Sequence, residues 1–277
     1  MTDWQARRRS RTFALFLVMI SVAPVVTVAR SSGAQDMSNR YQATAVVTGS
    51  DRRSRPTGFA RCLREVLVKV SGEPRLSHDP RVDRLAAEAD LFVASFDYVD
   101  QLAAYHHHDD QGTYDRPFNL TVHFVPALID KALADLGEQP WRGQRPVIMP
   151  VLMVRGYTAA YLLSAESPAG ADQRVAFADV ARDLGMQVRF PTDADFAAWG
   201  VTVGQFPSPQ VAPSADEAVV AGTLAFKRAV PGWAGSWRMR YHGIDYAWGI
   251  HGVNFDEAFR DIVRGVVRVA SGHGAPE

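Results

Sequence analysis

The chain has 277 residues, 47% of them hydrophobic and 22% charged, with 30 Lys and Arg against 30 Asp and Glu. So much apolar content excludes an intrinsically disordered chain. The even charge balance gives no reason to expect a polyanionic partner, so no nucleic acid is predicted.

The N-terminal segment reads as an export signal rather than as part of the fold. Arg7, Arg8, Arg9 and Arg11 precede an apolar run over residues 13–28, interrupted by Ser21, Pro24 and Thr27. That run is shorter than the roughly 20 residues needed to span a bilayer, and it has the length of a signal-peptide core. Small residues follow at Thr27-Val28-Ala29 and Ser32-Gly33-Ala34, either of which suits cleavage. Residues 1–34 are therefore predicted to be a cleavable, Sec-type signal peptide that delivers the protein to the periplasm. The alternative is an inner-membrane anchor, in which the uncleaved segment makes the only membrane contact. The sole cysteine is Cys62, so no intramolecular disulfide can form in an oxidising compartment. It falls on the apolar face of a helix, which predicts a buried core thiol rather than a nucleophile.

Residues 40–138 are expected to form an N-terminal α+β domain. Residues 41–47 alternate as a strand. Phe59, Cys62, Leu63, Val66, Leu67 and Val70 then recur on one helical face, and Gly72 stands at its C-terminal stop. A shorter helix over 81–89 and an aromatic segment over 92–98 follow. Residues 118–125 alternate as a second strand, and a helix runs from Pro126 to a stop at Gly137. A Pro-, Gly- and Gln-containing linker over 139–146 separates this from a C-terminal α+β domain, residues 146–272.

The second domain opens with an apolar strand over 147–154, whose Pro150 predicts an edge or a bulge. A helix over 173–184 and a short strand over 188–190 come next, then a strand over 218–227. Residues 236–241 and 246–251 predict a hairpin around 242–245. Pairing Tyr241 with Tyr246, Met239 with Trp248 and Trp237 with Ile250 puts six large side chains on one face, with Arg238 and Arg240 on the other. Each such cross-strand pair contributes about 0.2–1 kcal/mol. The last helix opens with Asn254 as cap and Glu257 three residues on, and buries Phe255, Phe259, Ile262, Val263, Val266 and Ala270. The fold class is α+β: two small sandwiches of helices packed on mostly antiparallel sheets.

Several stretches carry a family likeness. They are RCLREVLVKVSG (61–72), ASFDYV (94–99), FNLTVHFVPALIDKALADLG (118–137), the linker Trp141…Arg145-Pro146, LGMQVRFP (184–191), and the Gly222 strand followed by Trp237. Together, over residues 40–270, they resemble the bacterial domain-of-unknown-function family 2066. The resemblance implies an exported envelope protein of unknown activity, with no catalytic residues to carry over.

Candidate chemistry is sparse. His106, His108 and Asp110, in the tract His106-His107-His108-Asp109-Asp110, share one side of an extended segment and are the candidate metal ligands. A metal site needs ligands held rigidly, and a tract beside Gly112 reads more simply as a solvated loop. Arg228, Arg238 and Arg240 are the candidate anion or partner surface, against the ordinary reading of a solvated sheet face. Asp193 and Asp195 read as helix-start residues rather than an acid/base couple. His123, His242 and His251 fall on strands or turns. No nucleophile elbow, phosphate loop or zinc-protease helix is present. No cofactor is predicted and no catalytic residue is assigned. The sequence thus points to an exported envelope protein, a non-catalytic binding or scaffold protein that docks an envelope protein partner through its aromatic sheet edge or its inter-domain groove. The alternative is a hydrolase or metal-dependent enzyme with its site near the His-rich loop.

Overall fold

Strand alternation and helix stripes of the kind just described assemble into two sheets, each with helices against it. A computed structural model describes residues 40–103, 116–204, 216–228 and 231–276. Among these residues there are six α-helices and two mostly antiparallel sheets, an α+β fold.

The first sheet contains β1 (Gln42–Thr48), β2 (Val93–Asp100) and β3 (Pro117–Phe124) in the order β1-β3-β2, all antiparallel. Helix α1 (Arg55–Ser71) lays Phe59, Cys62, Leu63, Val66 and Leu67 against it, and α3 (Pro126–Leu136) adds Ile129 and Leu133. The stop at Gly72 is real: its φ of 75° is left-handed, and its N–H donates to Val68 O. A 3₁₀ turn, Pro74–His78, then leads into α2 (Pro80–Ala87). The aromatic segment forms β2, an edge strand, where Phe96 packs on Phe59 at 5.2 Å.

The second sheet runs β5-β4-β6-β7-β8, with β4 (Val147–Arg155), β5 (Ala160–Leu162), β6 (Glu217–Lys227), β7 (Gly232–Tyr241) and β8 (Ile244–Val253). Only β4 and β6 pair in parallel. Helices α4 (Ala171–Asp183) and α6 (Phe255–Ala270) cover one face, where Phe177, Phe259, Trp237 and Met239 meet. On the opposite face Phe196, from the short α5 (Asp193–Ala198), packs on Met149, Val151, Val219 and Ala221. Pro150 lies inside a strand that is paired on both sides, yet its position has no partner on the β5 side. There Ile148 contacts Gln187–Arg189, and β5 pairing begins only at Met153. The missing N–H is therefore not missed.

Two local expectations change. Residues 188–190 make one parallel bridge, Val188 to Ile148, rather than a strand. The hairpin register is Trp237 with Trp248, Met239 with Tyr246 and Tyr241 with Ile244. The cause is a two-residue turn at His242 (φ 47°) and Gly243 (φ 82°), where a four-residue connection had been expected. Positive φ at both positions matches the twist of a tight hairpin, and glycine adopts it freely. No helix of the described residues is long and apolar enough to cross a membrane.

Candidate functional site

The end of α1 and the end of α6 are held together by polar contacts across the two halves of the chain. Glu73 and Arg268 form a buried ion pair in which both carboxylate oxygens accept from Nη1. Glu73 Oε1 also accepts from the Arg75 N–H at 2.9 Å, and Arg268 Nε donates to Ala275 O. Arg145 bridges the same junction. It stacks on Trp141 at 4.1 Å and donates to Lys69 O (2.6 Å) and Leu184 O (3.2 Å).

Beside this pair, Ser271 Oγ lies 2.7 Å from His273 Nδ1, and His273 Nε2 lies 3.0 Å from Glu138 Oε2. The line Ser-His-Glu has the residue types of a hydrolase triad, but the hydroxyl is otherwise engaged. It donates to Gly72 O at 2.8 Å and lies 3.1 Å from Arg268 O, an arrangement that caps α6 rather than freeing a nucleophile. Glu73, Glu138 and His273 also sit within 4.8 Å of one another through their ligating atoms. A cation there would face the Arg268 guanidinium already seated on both Glu73 oxygens, so the chemistry of this set favours a latch over a metal centre.

From the latch a groove runs back along α6 as three adjoining cavities. The first, about 310 Å³, lies between the 3₁₀ turn and α6. Its polar lining is Arg75, His78, Arg264 and Arg268 against Asp261, and Trp248 forms an apolar wall. Trp248 comes this close because α6 has Gly265 at the contact: a Cβ there would lie 2.6 Å from the indole. The second cavity, about 220 Å³, shares Ser77 and Arg264 with the first and adds Glu65, Val68 and Leu184. The third, about 420 Å³, shares Asp183 and Arg260 with the second and is lined by Asp172, Asp179 and Asp256.

Partial burial perturbs several of these groups. Glu65 is pushed up to about 7, by burial first and by the negative charge of Asp183 second. Outside the cavities, burial also lowers Lys69, whose Nζ donates to Gln42 O at 2.9 Å. It also lowers Arg264, although Glu257, 3.0 Å away, favours the charged form. Asp261 is raised by burial despite accepting from Trp237 Nε1 at 2.9 Å. Such clustering in a cleft marks candidate functional positions.

The residues singled out from sequence lie elsewhere. His106, His108 and Asp110 fall within residues 104–115, outside the described residues. Arg228 stacks over Tyr157 at 4.2 Å and donates to its carbonyl, beyond the end of β6. Arg238 and Arg240 share the outward face of β7, where Arg240 approaches Asp245 at 3.6 Å. Arg238 stands opposite Ala221, seven residues from Arg228 and so about 23 Å along the strand; the three arginines are not one surface. Asp195 completes a capping box with Thr192 at the start of α5. His123 faces Asp97 at 3.7 Å on the first sheet. His242 sits in the hairpin turn and His251 pairs with Ala234. Cys62 is fully buried, and burial pushes its thiol up to about 12. The groove residues Glu65, Arg75, Arg264 and Arg268 escaped the sequence reading. The one available signal was the stripe Arg260, Arg264, Arg268 at a spacing of four on the last helix.

Residues 34–142 match the model of a family described as Domain of unknown function (DUF8605). This overturns the resemblance to family 2066. The two longest quoted stretches, 61–72 and 118–137, are amphipathic helices with glycine stops and an alternating strand, patterns that packing imposes on unrelated families alike. No curated protein and no solved structure matches the chain.

Proposed function

We propose that the protein is an exported, non-catalytic binding protein of the cell envelope and that its ligand lies in the groove along α6. The observation that carries the reading is the groove itself: three adjoining cavities whose walls come from α1, the 3₁₀ turn, α4 and α6. Binding sites form where separate elements converge and leave charged groups partly desolvated. Export is supported by the arginines and short apolar run ahead of residue 30. A binding role, rather than turnover, is supported by the engagement of the Ser271 hydroxyl with backbone carbonyls.

The test places a photo-crosslinking amino acid at Val175, an exposed residue of the third cavity, and at Val46, an exposed residue of the first sheet. Irradiation of living cells is expected to give a discrete adduct from Val175 and none from Val46. No adduct from Val175, or the same adduct from both, removes the groove reading. A C-terminal tag checks export separately, through a shortened N-terminus in the periplasmic fraction.

A further inference from the structure

The two ends of the groove are lined mainly by side chains of opposite sign. At the α4 end, Asp172, Asp179, Asp183 and Asp256 line the cavity against one cation, Arg260. At the other end, Arg75, Arg264, Arg268 and His78 line it with Asp261, and behind them Arg268 is seated on Glu73 and Arg264 on Glu257. Helix dipoles favour first-turn acids such as Asp172 and Asp256, and cations such as Arg268 in a last turn. They do not account for Asp183, beyond the first turn of α4, or for Arg75 and His78, which belong to the 3₁₀ turn; Asp179 is paired with Arg182 at 2.7 Å.

We infer that the groove takes an extended dipolar peptide segment, its cationic group among the aspartates and its anionic group beside Arg75 and Arg264. The inference rests on the groove being the binding site. Asp256 and Arg264 are eight residues apart on α6, and Asp256 and Arg268 twelve, which is about 12–18 Å at 1.5 Å per residue. An extended chain covers that distance in about 4–6 residues, whereas a single zwitterionic amino acid cannot reach both ends. A dication meets repulsion at the arginine end and a dianion at the aspartate end. Between the ends, Val68, Val180 and Leu184 offer contact to small apolar side chains, and Ser77 and Glu65 offer polar partners. Trp248 and Pro74 flank the arginine end, so an apolar residue next to the ligand's carboxylate has a surface to lie on.

The experiment titrates the purified protein with a blocked Lys-Ala-Ala-Ala-Ala-Glu peptide by calorimetry or NMR. Comparison peptides carry Lys at both ends, Glu at both ends, or Lys and Glu adjacent. The dipolar hexapeptide is expected to bind about tenfold more tightly than each comparison peptide, equivalent to about 1.4 kcal/mol. Arg75→Glu is expected to move the preference to the two-lysine peptide, and Asp179→Lys to the two-glutamate peptide. Arg75 is exposed and the Asp179 side chain is half exposed, so both variants should fold, as circular dichroism checks. Equal affinity for all four peptides, or a preference that neither variant moves, overturns the inference. If no peptide binds while the Val175 adduct persists, the dipolar ligand is refuted and the groove reading survives; loss of both refutes both.

Discussion

Arg268→Met cuts the buried ion pair from one side and leaves the other side in place. The Arg268 and Glu73 side chains are only 9% and 8% exposed, so water cannot solvate the carboxylate left behind. Glu73 would keep one strong partner, the Arg75 N–H. Two unit charges about 4 Å apart at an effective dielectric of about 20 interact by about 4 kcal/mol. Measured losses for removing one member of a buried pair are about 3–5 kcal/mol, in agreement. Arg268→Met should therefore lower the urea-unfolding free energy by about 3–5 kcal/mol and the melting temperature by roughly 6–20 °C. The double variant Glu73→Gln, Arg268→Met removes the orphaned charge and should recover much of that loss, giving a coupling of about 1–3 kcal/mol. Strict additivity of the two single changes, or a loss below about 1 kcal/mol for Arg268→Met, would show that the pair is solvated in solution and that the latch does not hold the two halves.

Three further outcomes follow from the same geometry. Glu65 holds its proton more tightly in the folded state, so its contribution to stability is full below about 4.5 and is lost as pH rises through about 7. Subtracting the profile of Glu65→Gln from that of the wild type should expose this decline, about 1–3 kcal/mol by urea titration, and a flat difference between pH 4.5 and 7 rules it out. Gly265→Ala gains up to about 1 kcal/mol of helix propensity but drives a methyl to 2.6 Å from Trp248, a clash costing about 1–3 kcal/mol. The variant should be less stable with altered near-ultraviolet dichroism, and a more stable variant refutes the packing. Cys62 should react with a maleimide only at the rate of unfolding, since it is fully buried and its thiol is raised to about 12; labelling of the native protein within seconds contradicts that burial.

The legible parts of the sequence were those where one element decides its own pattern. The stripe from Phe59 to Val70 and the stop at Gly72 need only a core on one side and a left-handed residue at the end. The hairpin shows where such reasoning stops. Shifting its register by two residues leaves Trp237, Met239, Tyr241, Tyr246, Trp248 and Ile250 on the same face, so hydrophobic patterning cannot choose between the registers. The choice belongs to the turn, and the tetrad His242-Gly243-Ile244-Asp245 hid a two-residue connection whose marker is Gly243 after His242. Val188 failed for a related reason: three residues bounded by Pro191 read as a strand, but the segment meets only Ile148.

The groove was illegible because it belongs to no single element. Glu73 and Arg268 are 195 positions apart, and each alone reads as an ordinary polar residue at a helix boundary or on a helix. With the latch in place, the 3₁₀ turn faces α6, and Arg264 lines the first cavity together with Ser77 and Asp261. The first two cavities therefore exist only while the ends of α1 and α6 stay docked, the third lying between α4 and α6 alone, and a ligand that spans the whole groove binds the docked state. Linkage then makes the effect reciprocal: occupancy adds RT ln(1 + [L]/Kd) to the stability of the docked arrangement, about 2.7 kcal/mol at a hundredfold excess over Kd. Arg268→Met, which loosens the docking, should weaken a ligand that spans the groove even though Arg268 does not line the cavity at the α4 end. The affinity of such a ligand thus reports on a contact made at the far end of α6, whereas a ligand held by the third cavity alone is unaffected, and that difference separates a groove built by docking from a pocket between one helix pair.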